Sequence, residues 1–213
     1  MRMRRLDILC CAALAAVTIQ YSASGNASGA ESPKYRSPLD VVAAGDGKTL
    51  YVVHATANEI AAVDAATGKV TWTAALPAAP SGLAEDADGS LVITCGQADG
   101  QLMRYTPKTK TLTKLPVKLH SPTAPVINQE AQVIYVCDPF LNLVVAVDRE
   151  GKPLARISVP REPTAAALTP DGKTLVVSNR LPAGAADRDY VSAVVSLIDT
   201  QSQQVAADIG LPN

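Results

Sequence analysis

The chain has 213 residues, 47% hydrophobic and 4% aromatic, with 19 Lys and Arg against 20 Asp and Glu. With no basic run and a single Phe, it lacks the electrostatic footprint of a nucleic-acid binder. Its length suits one domain behind a short leader.

The leader comes first. Arg2, Arg4 and Arg5 precede an apolar run from Ile8 to Ile19, and the small residues SASGNASGA come next. This is the three-part layout of a secretory signal peptide over residues 1–30. The run is shorter than the roughly 20 residues that a membrane-crossing helix needs. Cleavage after Ala30 fits the small-x-small rule through Ser28 and Ala30, with Ala23 and Ala27 left as alternatives. The expected location is periplasmic or secreted, with no membrane attachment after cleavage. The leader carries three Arg and one Asp, so the remainder holds 16 basic and 19 acidic residues, net −3. Residues 31–36 read as a short linker.

From residue 37 onward the same words recur. Residues 46–54 read DGKTLYVVH, 88–95 read DGSLVITC, 130–138 read EAQVIYVCD, and 170–179 read PDGKTLVVSN. The acidic residues Asp46, Asp88, Glu130 and Asp171 succeed one another at steps of 42, 42 and 41. A step near 40 with strand-like content is the length of a propeller blade. Each copy leads to an apolar strand (IAAVD, LMRYT, VVAVD, VSLID), a turn, and a short strand running to a proline. In the first unit, strands are expected at Leu39–Ala44, Thr49–Ala55, Glu59–Asp64 and Val70–Leu76. The small apolar first strand of each unit suits an innermost position, where blades converge. The fold class is therefore all-β: a β-propeller of four-stranded antiparallel blades, about four in number, forming an incomplete ring. The units span 37–80, 81–122, 123–163 and 164–213.

Gly47-Lys48-Thr49 and Gly172-Lys173-Thr174 mimic the end of a phosphate-binding loop. That loop needs an earlier glycine and a helix after it. Here Val42 and Ala167 occupy the glycine position, and the residues after the threonine have a strand pattern. Asp-Gly instead makes a tight hairpin.

The pattern resembles the YVTN-type β-propeller repeat family. Tyr51-Val52-Val53-His54, Val63-Asp64, Thr67-Gly68-Lys69 and Ile198-Asp199-Thr200 carry the resemblance. The second unit departs with Tyr105-Thr106, and the third lacks Asp-Gly. The likeness covers about residues 37–213. It implies a bacterial exported propeller, and family members commonly close at seven blades. An insert such as that after Arg180 is similar to those of propellers fused to c-type cytochrome domains. A cytochrome or peroxidase-like redox partner is thus implied by resemblance, beside the simpler reading of a binding or scaffold module. No Cys-x-x-Cys-His occurs, so the chain has no site for c-type haem attachment, and no cofactor is expected in it.

Candidate ligand or partner residues lie on the loops that leave the second and fourth strands, at one end of the blades. They are His54, His120, Asp138 and Asn179, with Arg180, Asp187, Arg188 and Asp189 in the fourth unit. From Asn179 to Asp199 is 20 residues, against 10 from His54 to Asp64, so a long loop is expected there. His54 reads as a solvated loop residue. Two histidines without a third ligand do not define a metal site. A lactonase-like metal set would have only Asp138 and Asn179. Asp64, Asp148 and Asp199 are expected to cap turns. Cys95 and Cys137 sit one position apart in the repeat frame, point to opposite faces, and are expected to be free, buried thiols. No catalytic motif is visible. The expected partners are a protein or further propeller blades.

Overall fold

A computed structural model describes residues 35–96, 98–183 and 192–211. The first blade opens on a turn built by its own residues. Asp46 Oδ1 accepts the Lys48 and Thr49 backbone N–H groups at 2.7 and 2.9 Å, and Gly47 takes φ 66°. The chain leaves this turn as a strand. The hairpin joins β1 (Pro38–Ala43) to β2 (Thr49–His54), then come β3 (Glu59–Asp64) and β4 (Val70–Ala75). The hairpin lysines therefore serve strands and form no phosphate loop.

Three further blades repeat the plan. Blade 2 holds β5 (Pro80–Glu85), β6 (Leu91–Cys95), β7 (Gln101–Thr106) and β8 (Thr111–Leu115). Blade 3 holds β9 (Thr123–Asn128), β10 (Val133–Asp138), β11 (Leu143–Asp148) and β12 (Pro153–Ser158). Blade 4 holds β13 (Pro163–Leu168), β14 (Thr174–Ala183), β15 (Ser192–Asp199) and β16 (Gln204–Gly210). Each is a four-stranded antiparallel meander in sequence order. No helix occurs among the described residues. The protein is an all-β partial propeller.

The third hairpin lacks Asp-Gly and finds another solution. Gln132 adopts φ 56°, and Asn128 Oδ1 accepts the Ala131 N–H at 3.0 Å. Asn128 Nδ2 also donates to Gly172 O at 2.8 Å, which ties this turn to the blade 4 hairpin. The turn aspartates behave as expected. Asp64 Oδ1 accepts from Thr67 N and Oγ1 at 2.8 and 2.7 Å. Asp148 Oδ1 accepts from Glu150 N and Lys152 N, and Asp199 Oδ1 from Ser202 N and Oγ.

The innermost strands β1, β5, β9 and β13 lie side by side in order. Side chains bridge their backbones: Leu83 N donates to Asp40 Oδ2 at 2.9 Å, and Thr123 Oγ1 to Ser81 O at 2.8 Å. The approach is close enough that a Cβ on Gly82 would lie 2.5 Å from Pro125 Cδ and 2.8 Å from Ala124 N. Among the described residues, no comparable contact returns β13 to β1.

Three apolar seams hold the blades together. The first packs Tyr51, Val53, Ile60 and Ala62 against Leu91, Ile93, Met103 and Tyr105. The second packs Val92 and Leu102 against Ile134, Val136 and Val145. The third packs Tyr135, Cys137 and Val144 against Leu175, Val177 and Ile198. Strands β6 and β10, covered on both faces, are buried at every position, as expected of strands sandwiched between layers. Each fully buried Leu, Ile or Val contributes about 1.5–3 kcal/mol.

Candidate functional site

Strands β2, β6 and β10 end at His54, Cys95 and Asp138. The fourth blade differs from the expectation. Asn179 lies inside β14, which continues to Ala183 and pairs with Ser192 of β15 past a bulge. The continuation is held because Arg180 N and Leu181 N donate to Glu162 O and Arg161 O at 2.9 and 3.2 Å. The first five residues of the expected loop, Asn179–Ala183, and its last, Ser192, are thus strand. Asp187, Arg188 and Asp189 lie outside the described residues.

The candidate residues are less available than the sequence suggests. His54 is only 9% exposed and stands 3.3 Å from Glu59 Oε1, so it is not a solvated loop residue; the neighbouring strand start supplies its cover. Asp138 is fully buried. Its Oδ2 accepts His120 N at 2.7 Å and its Oδ1 accepts Ser121 N at 3.1 Å. Asn179 Nδ2 donates to Val194 O and Ser196 Oγ. Asp138 therefore positions the loop before β9, whereas Asn179 ties β14 to β15. No cluster of three His, Cys, Asp or Glu able to hold a metal occurs among the described residues.

This end does bring His120 and Phe140 together. Their rings stack at 4.0 Å between centroids with a 10° interplanar angle. His120 Nδ1 lies 2.8 Å from Ser121 Oγ. Phe140 and its neighbour Leu141 are 67% and 43% exposed. Beside them, Asn142 Oδ1 accepts Glu162 N at 2.9 Å, and Arg180 Nε donates to Glu162 Oε2 at 2.7 Å. The result is an apolar knob with a rim of charge, fixed from beneath by the buried Asp138 carboxylate. The sequence reasoning missed Phe140 and Leu141. Their signal was two large apolar residues inside a turn, where polar ones solvate the backbone better.

Cys95 and Cys137 are buried and free. Cys95 packs in the first seam and Cys137 in the third, on opposite sides of the intervening sheets. Burial pushes both thiols up to about 12.

In two other hollows the protein's own bonds hold part of the lining. At the opposite end, a cleft of about 540 Å³ is lined by Asp46, Glu85, Asp86 and Asp88. There Glu85 Oε2 accepts Gly45 N at 2.8 Å and Asp86 faces arginine. Along the inner strands, a cavity of about 450 Å³ includes Asp40, which is bonded to Leu83 N.

Known proteins share this architecture. A family profile described as outer membrane protein assembly factor BamB matches residues 22–212. Among solved structures, the chain is similar to Kuenenia stuttgartiensis hydrazine synthase, with 22% identity and a TM-score of 0.73. That alignment covers 88% of this chain and 53% of the other. A protein of unknown function from Bacteroides caccae aligns at 13% identity and a TM-score of 0.62, over 83% of this chain and 62% of its own. The chain thus spans little more than half the length of these structures. No curated protein matches it.

Proposed function

The chain belongs to the family described as outer membrane protein assembly factor BamB, and from that premise we propose that it is an exported propeller scaffold that docks a protein partner. The contact surface is the loop end carrying His120, Phe140 and Leu141. Within the family, its hairpins are of the YVTN-like kind. The reading needs no cofactor in the chain.

The observation that carries it is the knob. An aromatic and a leucine held in water gain free energy when a partner covers them, and buried aromatic anchors dominate interface energetics. Stacking on His120 fixes the Phe140 ring, so little rotamer freedom is left to lose on docking. The Glu162–Arg180 pair alongside supplies a polar rim, where charges set orientation more than affinity.

The test places a photo-crosslinking phenylalanine analogue at Phe140 and, separately, at Lys108 on the opposite end. A discrete product from position 140, lost when Leu141→Ser is added and missing from position 108, supports the reading. The same pattern from both positions, or none from 140, overturns it.

A further inference from the structure

In each blade one residue stands two places before the acidic residue of the first hairpin: Ala44, Asp86, Asn128 and Thr169. In blades 2 and 3 that side chain bonds to the next blade. Asp86 Oδ2 accepts from Arg149 Nε of blade 3 at 3.0 Å, and Asn128 Nδ2 donates to Gly172 O of blade 4 at 2.8 Å. Ala44 has no polar atom with which to do the same. Gly89, which occupies the place of Gly172 in the repeat, goes unbridged, and the first seam is left open at its hairpin end. Ala44 and Gly89 both line the cleft of about 540 Å³ found there. Both of its walls belong to described blades, and it is the protein's own sequence between them that leaves the gap.

The polar lining is only partly satisfied. Glu85 is half-buried, and its Oε2 accepts Gly45 N at 2.8 Å; its Oε1 meets no donor among the described residues. Tyr51 lines the same cleft and is 9% exposed, yet no described residue bonds its hydroxyl. Burial raises the Tyr51 pKa, and Glu85 and Asp46 raise it further, so the phenol lies in the negative field of those two carboxylates. Arg104 and Arg149 pair with Asp86 and Asp88. Among the described residues, neither Asp46 nor Glu85 has an ion-pair partner. The exposed Lys108 also lines the cleft. No cluster of three groups able to hold a metal ion occurs among the described residues, so the cation that suits this lining is organic. We propose that the cleft binds a small aliphatic amine in its protonated form. The ammonium donates to Glu85 Oε1 and the Tyr51 hydroxyl in the field of Asp46, and the stem lies on Ala44, Ala87 and Pro107. Polar groups left without partners carry a desolvation cost, which the ammonium relieves. The volume lies in the range of small-molecule pockets, about 300–1,000 Å³.

The test follows backbone amide resonances of the isotope-labelled chain at neutral pH. The probe is n-butylammonium chloride, with sodium chloride and n-butanol at matching concentrations as controls. The Gly45, Asp46 and Gly89 amides are expected to shift and to saturate in the millimolar range with the probe and with neither control. Glu85→Gln keeps an oxygen for Gly45 N–H and loses the charge; it should weaken binding about tenfold, the worth of one hydrogen bond to a charged group. Tyr51→Phe should weaken it about threefold, as for a neutral bond. Lys108→Gln removes the chain's own competing ammonium and should tighten binding. Shifts that never saturate, that butanol reproduces, or that persist undiminished in Glu85→Gln overturn the proposal. So does weaker binding in Lys108→Gln, an exposed substitution that decides even if Tyr51→Phe or Glu85→Gln disturbs the first seam.

Discussion

Arg149 in the turn between β11 and β12 reaches across the second seam to Asp86, after β5. Its Nε donates to Asp86 Oδ2 at 3.0 Å and its Nη2 lies 2.5 Å from the same oxygen. The Asp86 side chain is fully buried while that of Arg149 is 25% exposed. Arg104 stands 3.5 Å away on the other side. The buried carboxylate holds two guanidinium groups from two blades, and the pairing raises the Arg149 pKa further.

Asp86→Ala leaves both arginines without their carboxylate. Breaking a buried ion pair costs about 3–5 kcal/mol; because Arg149 can partly rehydrate, a loss of about 2–3 kcal/mol is expected from urea unfolding. Glu162→Ala removes an ion pair in which Arg180 is 67% exposed, and should cost less than about 1 kcal/mol. Equal losses in the two variants would contradict this ranking.

Two glycines separate steric from conformational need. Gly82→Ala drives a Cβ into the Ala124 backbone at 2.8 Å, and an overpacking loss of about 1–3 kcal/mol is expected. Gly47 has φ 66° and open space around it. Its alanine variant meets only the left-handed backbone penalty, about 1–2 kcal/mol. A Gly47→Asn variant, better suited to that conformation, should recover part of the loss, whereas Gly82→Asn should be worse than Gly82→Ala.

Acid should weaken the hairpins. Hydrogen bonds from Lys48 and Thr49 lower the Asp46 pKa below its ordinary 3.8. Thr67 does the same for Asp64, Thr169 and Lys173 for Asp171, and Ser202 for Asp199. A depressed folded pKa means that the contribution is fully present above 3.8 and is lost as pH falls through the lower folded values. The urea midpoint should therefore hold steady down to about pH 5 and fall below about pH 4. Asp64→Asn should lower the midpoint at neutral pH and shrink the acid-induced drop; an unchanged drop would refute the assignment.

The buried thiols should be silent in the native state. With both pushed up to about 12 and buried, Cys95 and Cys137 carry almost no thiolate at pH 8. Ellman's reagent should titrate neither in the native protein and both in urea. Fast native labelling at either residue would count against their burial in the first and third seams.

Local chemistry was legible in the sequence, and contacts between distant residues were not. The Asp-Gly words announced hairpins because the turn is made by its own residues: Asp46 bonds residues two and three positions on. The repeat then implied blades, and the continuous apolar run of β10 fits a strand covered on both faces. The Asp86–Arg149 bond joins residues 63 positions apart, and nothing in either neighbourhood announces the other. The burial of Asp138 was hidden for the same reason, since its partners are backbone groups 17 and 18 residues earlier. Pro182 falls where a long loop was expected, yet β14 continues through it. The proline lies in the irregular stretch between Asn179 and Ala183, where a residue that cannot donate to the ladder is tolerated.

Trp72 stands between Tyr51 and Tyr105, with ring centroids 5.9 and 5.3 Å away, and it is the chain's single tryptophan. Its emission is therefore a local gauge, reading whether blades 1 and 2 have parted and blind to the rest of the stack. In an array coupled only through neighbours, each junction can yield at its own cost. Far-ultraviolet dichroism sums over every sheet, so any gap between the two unfolding curves measures how independently the first junction gives way.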